Sequence, residues 1–155
     1  MEWIRKSLSY AITIGVIIAL VTIVPRFARL RVADGYTDID GLEVERSLNA
    51  DTGVAFGSLA VGDPIAYRLS DQDGKNLCVG WIAAMPGDEV ALRDKLVMVN
   101  GKKAVGGPIE DAPPRAPVMI PAGHCYVVSS HHQLDSVAYG PIPAAAIRAR
   151  LSSLP

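Results

Sequence analysis

Aromatic residues form only 6% of this 155-residue chain, cysteines number two and histidines three, and the formal charge is −1. Each scarcity excludes something. With no basic stripe to displace counterions from phosphates, a nucleic-acid partner is excluded. Two cysteines and three histidines, scattered as they are, do not assemble a structural zinc site, so no metal is expected. No Gly-rich phosphate loop, paired Cys-x-x-Cys or haem-attachment motif occurs, and the sequence points to no cofactor. Internal repeats and low-complexity tracts are missing too. What remains is half hydrophobic, with 14 glycines and 11 prolines, a composition that suits short strands and turns better than a helical bundle. The length allows one small domain plus one accessory element.

That accessory element is the longest apolar run. Ser7 to Val24 is uncharged over eighteen residues and dominated by Ile, Val, Leu and Ala; as a helix it spans about 27 Å, enough to cross a bilayer. Pro25 ends it, and no Ala-x-Ala cleavage pattern follows, so residues 7–25 read as an uncleaved transmembrane anchor. Trp3 and Tyr10 suit the membrane interface. Arg5 and Lys6 before the run nearly balance Arg26, Arg29 and Arg31 after it, so charge alone does not orient the span.

The rest is organised around Leu77–Val90, LCVGWIAAMPGDEV. Leu77 to Met85 is apolar apart from Gly80, too short for a helix and suited to a strand buried on both faces. Pro86-Gly87-Asp88 then makes a turn: Pro86 fixes its φ, Gly87 takes positive φ, and Asp88 bonds nearby backbone N–H groups. Alternation resumes over Glu89–Asn100, and Lys95–Asn100 pairs with Lys102–Val105 across Asn100-Gly101. Before the centre, Arg31–Thr52 is a linker or an edge hairpin, and Gly62-Asp63 turns into a strand at Pro64–Leu69. After it, Gly106–Pro117 reads as an irregular surface excursion, His124–Ser129 as a strand, and Ala144–Leu151 as a short helix or final strand.

Three blocks, in this order and behind an N-terminal anchor, resemble the type I signal peptidases, which cut secretory leader peptides at the outer face of a membrane. They are Gly62-Asp63-Pro64-Ile65-Ala66-Tyr67; Ile82–Val90 with its Pro-Gly-Asp; and Pro121–Val128, followed by Asp135-Ser136 and Gly140-Pro141-Ile142-Pro143. Together they cover nearly the whole chain after Val54, and the small size is most similar to the pilin-processing signal peptidases of conjugative transfer. The resemblance implies a mainly β, signal-peptidase-like β domain with one N-terminal transmembrane helix. It divides the chain into a cytoplasmic N-terminus (1–6), the anchor (7–25), a linker or edge segment (26–52) and the β domain (53–155). It also orients the span, with the N-terminus inside a bacterial inner membrane and the β domain periplasmic.

The family performs acyl transfer with a serine nucleophile and an unprotonated lysine base, beside an oxyanion hole. The serine lies eight residues before the glycine of Gly-Asp, and counting back from Gly62 reaches Val54. The lysine lies six residues before the proline of Pro-Gly-Asp, and counting back from Pro86 reaches Gly80. Neither member of the dyad is in place. Ser58, Asp63, Pro86, Gly87, Asp88, Asp135 and Ser136 match the supporting positions, although Val137 stands where an arginine normally follows Asp135-Ser136. Ser47 or Ser58 with Lys75 are the candidates for a displaced dyad, but Lys75 sits in a polar loop where nothing depresses its pKa. Ser129, His131, His132 and Asp135 suggest a hydrolase or metal constellation, with an exposed polar loop as the plainer reading. Cys78 and Cys125 fall on strands near the old catalytic centre, and a disulfide and two buried thiols both stay open. Gly80 leaves a lysine's space that Trp81 is expected to fill.

The resulting expectation is a pseudoenzyme: an inactive accessory or structural subunit whose partners are the lipid bilayer and the other subunits of a membrane complex. Two alternatives stand beside it. One is an active leader or pilin peptidase with a displaced nucleophile. The other is a module that grips leader peptides by strand addition without cutting them.

Overall fold

In a computed structural model the described residues are 12–18, 27–30, 48–69, 77–104, 108–109, 114–129 and 134–152. Eleven strands among them form two antiparallel sheets. The larger runs β1 (Phe27–Leu30), β2 (Leu48–Asp51), β11 (Ile147–Ser152), β3 (Pro64–Tyr67), β4 (Cys78–Ala84), β9 (His124–Val128) and β10 (Ile142–Pro143) side by side. The smaller orders β7 (Lys102–Lys103), β6 (Leu96–Val99), β5 (Glu89–Arg93) and β8 (Arg115–Met119). The fold is mainly β, as the composition predicts.

β4 is the longest strand, with β3 on one side and β9 on the other. Its apolar run is legible as a doubly covered strand, and six of its seven residues are buried, Trp81 being half-buried. Successive side chains alternate between faces. Cys78 and Ile82 enter a cluster with Leu59, Ile65, Tyr67, Cys125, Val127 and Ile142. On the other face, Val79 and Trp81 pack with Ala50, Ala66, Ala149 and Leu151. A bulge between Ile82 and Ala84 then lets Ala83 and Ala84 join a third cluster, built with Val90, Leu92, Val97, Ile120, Tyr126 and Val128. That cluster lies under the smaller sheet.

The two sheets meet at the Pro-Gly-Asp turn. Asp88 N–H donates to the Met85 carbonyl at 3.1 Å and Gly87 takes φ +90°, a type II turn in which only glycine is unstrained at that corner. Gly87 N–H and Ile120 N–H cross-bond to the Ile120 and Asp88 carbonyls, both at 2.9 Å, which ties the turn to the end of β8.

Several sequence expectations change. The excursion Gly106–Pro117 is not irregular throughout: Arg115–Pro117 opens β8, and Ile109 is buried, its N–H donating to the Lys95 carbonyl at 2.7 Å. A hairpin turn at Asp94-Lys95, both at positive φ, joins β5 to β6. The last segment is both alternatives in turn, a 3-10 turn at Ala144–Ala146 followed by β11. Within the segment 26–52, β1 and β2 extend the larger sheet through β11, so this part is sheet edge rather than free linker.

Of the expected anchor 7–25, residues 12–18 form a helix, α1, and the remainder lies outside the described residues. Ile12, Ile14, Val16, Ile17 and Ile18 are all more than half exposed. Among the described residues no helix is long and apolar enough to cross a membrane.

Candidate functional site

Gly80 sits in the middle of β4 opposite Ile65 of β3. A Cβ added there meets Val127 Cγ1 and the Val128 carbonyl oxygen, each at 2.8 Å, and Ser129 Cβ at 3.3 Å. The obstacle is β9 backbone, which cannot swing aside as the tip of a flexible side chain can. Glycine at 80 therefore lets β9 close directly onto β4. No lysine-sized space is left for Trp81 to fill, and Trp81 lies on the opposite face of the strand, among Leu77, Val79 and Leu151.

Val54 follows β2 and is half-buried against the Leu59, Ile65 and Tyr67 cluster. Ser58 ends the 3-10 turn Phe56–Ser58. It is exposed, and its hydroxyl donates to the Ala55 carbonyl at 2.7 Å. The Gly62-Asp63 clip holds this segment to β4: Gly62 N–H donates to the Ile82 carbonyl at 2.8 Å, and Ile82 N–H to the Asp63 carbonyl at 3.1 Å. Asp63 Oδ2 accepts the Ala60 N–H at 3.0 Å and lies 3.8 Å from Arg150 Nη1. That ion pair is half in solvent and contributes little.

Asp88 has a similar anchoring role beside Pro86 and Gly87. Its Oδ2 accepts the Met85 N–H at 2.8 Å, and its Oδ1 accepts from Asn100 Nδ2 at 2.7 Å.

Asp135 and Ser136 are fully buried behind β9. Asp135 Oδ2 accepts the Ser129 N–H at 2.9 Å and lies 3.4 Å from Ser129 Oγ. Its Oδ1 accepts the Val137 N–H at 2.7 Å, capping the short helix α2 (Ser136–Tyr139). Ser136 Oγ accepts the Val127 N–H at 2.8 Å. Here backbone donors answer a carboxylate beside which an arginine is expected, and Val137 is left free to bury itself in the core. Tyr67 completes the group, its hydroxyl donating to the Leu134 carbonyl at 2.8 Å. Burial first, and then the charge of Asp135, push the Tyr67 hydroxyl pKa well above its ordinary value. Sequence reasoning missed Tyr67, whose signal was a lone polar-tipped aromatic at the end of an otherwise aliphatic strand.

The expected residues thus divide into separate places. Position 80 faces β9, Ser58 is on the surface, Asp88 is at the junction of the sheets, and Asp135 and Ser136 brace β9. Among the described residues Ser129 and Asp135 form the nearest thing to a nucleophile beside a base, but both are buried and the carboxylate already accepts backbone N–H groups. Ser47, Lys75, His131 and His132 lie outside the described residues. Among the described residues no three His, Cys, Asp or Glu side chains converge as metal ligands.

Cys78 and Cys125 are free, buried thiols. Ala84, opposite Tyr126, is six residues along β4 from Cys78, about 20 Å at the rise of a strand. Of the two readings left open for this pair, the structure has the unbridged, buried thiols, with the cysteines set apart along the paired strands β4 and β9 and bridging needing Cα atoms within about 7 Å. Burial pushes the Cys125 thiol up to about 12 and raises that of Cys78, which makes both inert as nucleophiles.

The family described as signal peptidase, peptidase S26, matches residues 2–154. The chain belongs to the signal peptidase family. A solved signal peptidase I from Enterococcus faecalis V583 is similar at 17% identity, covering 61% of this chain and 97% of that one with a TM-score of 0.47. No curated protein matches. In this signal peptidase family member, the Gly-Asp, Pro-Gly-Asp and Asp-Ser elements all serve as structural clips.

Proposed function

We propose that this member of the signal peptidase family is catalytically inactive and acts as an accessory or structural subunit of a membrane complex. One observation carries the reading. At the position where family spacing puts the general base, β9 approaches so closely that even a methyl group meets backbone. At the nucleophile's position stands Val54, whose side chain has no exchangeable proton and packs on the core. The remaining elements keep their turns and hydrogen bonds, as expected of a fold retained for binding rather than for turnover.

Residues 7–25 anchor the chain in a bacterial inner membrane, with the β domain on the periplasmic side. The exposed apolar side chains of α1 support lipid contact. Gentle detergent extraction of the native membrane, followed by pull-down on this chain, tests the proposal. Stoichiometric recovery of a defined set of membrane subunits is expected. Recovery with leader-bearing precursors alone contradicts it and favours the leader-peptide-binding module.

A further inference from the structure

Asn100 and Gly101 tip the β6–β7 hairpin with φ of +50° and +76°, the geometry of a type I′ turn. The main chain turns away from β5 there, and the Asn100 side chain continues the pairing in its place. Its Oδ1 accepts the Glu89 N–H at 2.9 Å and its Nδ2 donates to Asp88 Oδ1 at 2.7 Å, while the Asn100 N–H donates to the Glu89 carbonyl at 2.8 Å. Because Asp88 also fixes Met85 through its other oxygen, one amide–carboxylate contact links this hairpin to the turn between the two sheets.

The same dipeptide is chemically unstable. A glycine after asparagine leaves the approach of its own nitrogen to the side-chain carbonyl carbon unobstructed, and both residues are exposed to water. We propose that Asn100-Gly101 is a self-modification site, a deamidation restrained by Asp88. Hydroxide takes the Gly101 amide proton, the nitrogen attacks Asn100 Cγ, and the Cγ–Nδ2 bond breaks. Ammonia leaves after taking a proton from water, which returns the hydroxide. Water then opens the resulting succinimide at either carbonyl to give aspartate or isoaspartate. Nothing is oxidised or reduced.

The native bonds oppose the first step, since attack needs the side-chain amide free to rotate and both of its polar atoms are held. The product reverses the contact. A carboxylate replaces the donor that lay 2.7 Å from Asp88, so attraction becomes repulsion between like charges. Isoaspartate also inserts a carbon into the main chain beside the Val99–Lys102 pair. Deamidation is thus a one-way release of the hairpin from the inter-sheet turn.

Incubation of the full chain in mildly alkaline buffer, beside a synthetic peptide of residues 96–104, tests this by peptide mapping with mass spectrometry. The intact chain is expected to convert at least about tenfold more slowly than the peptide, the factor held by one charge-assisted hydrogen bond. Asp88→Ala is expected to bring the rate towards that of the peptide with an unchanged circular dichroism spectrum. Should that variant not fold, Asp88→Asn, which keeps an acceptor and drops the charge, is read in its place, and an accelerated rate is again expected. Equal rates in chain and peptide overturn the proposal, as does a rate that the folded Asp88 variant leaves unmoved.

Discussion

At the scale of single residues, Gly80 has the sharpest consequence. Gly80→Ala places a methyl group 2.8 Å from the Val128 carbonyl oxygen, and overpacking of this kind costs about 1–3 kcal/mol. Urea unfolding is expected to show that loss, and Gly80→Lys a larger one with no gain of peptidase activity. Asp135→Asn is expected to cost about 2–3 kcal/mol, because either orientation of the amide sets an NH2 group against the N–H of Ser129 or Val137. The same denaturation measured against wild type checks it, and an unchanged midpoint contradicts it. Counting along the motifs leads to Val54 and Gly80 as the positions to inspect. It could not tell that β9 closes over Gly80, because that distance depends on the pairing of residues nearly fifty positions apart in the chain.

Elements repeat this division between local signals and long-range packing. β4 and its Pro-Gly-Asp turn were legible because continuous apolar character and a Pro-Gly pair act over a few residues. The Asp94-Lys95 turn was not, since aspartate tolerates positive φ but lysine does not favour it, and the pairing of β5 with β6 imposes it. Trp81 does not fill the space at Gly80, because successive residues of a strand point to opposite faces and Trp81 packs on the side of Val79. Its half-buried place among small side chains makes Trp81→Ala cost about 1–2 kcal/mol, below the ~3–5 kcal/mol of a fully buried aromatic. Gly87→Ala forces an L-residue to φ +90° at the junction of the sheets, with an expected loss of about 1–2 kcal/mol. A melting temperature equal to that of wild type contradicts the turn assignment.

For the molecule as a whole, burial of ionisable groups sets a limit at alkaline pH. The Cys125 thiol is raised from its ordinary 9.0 to about 12 by burial. Tyr126 is raised from 10.0 to about 12 by burial and then by Asp135. Both pKa values are higher folded than unfolded, so the unfolded chain gives up protons first. Stability from these groups is full below about pH 9 and is lost as pH rises towards 12, each group contributing up to ~1.4 kcal/mol per pH unit. Denaturant midpoints taken across this range are expected to fall, and to fall less steeply in Cys125→Ala; a flat profile contradicts the buried thiol. The single closest test of an inactive family member uses the full-length chain in lipid vesicles with a leader-bearing precursor, cleavage being followed by mass spectrometry. The expected result is no cleavage above empty vesicles. Cleavage that disappears in Ser58→Ala, Ser47→Ala or Lys75→Ala contradicts it and makes the chain an active peptidase with a displaced dyad.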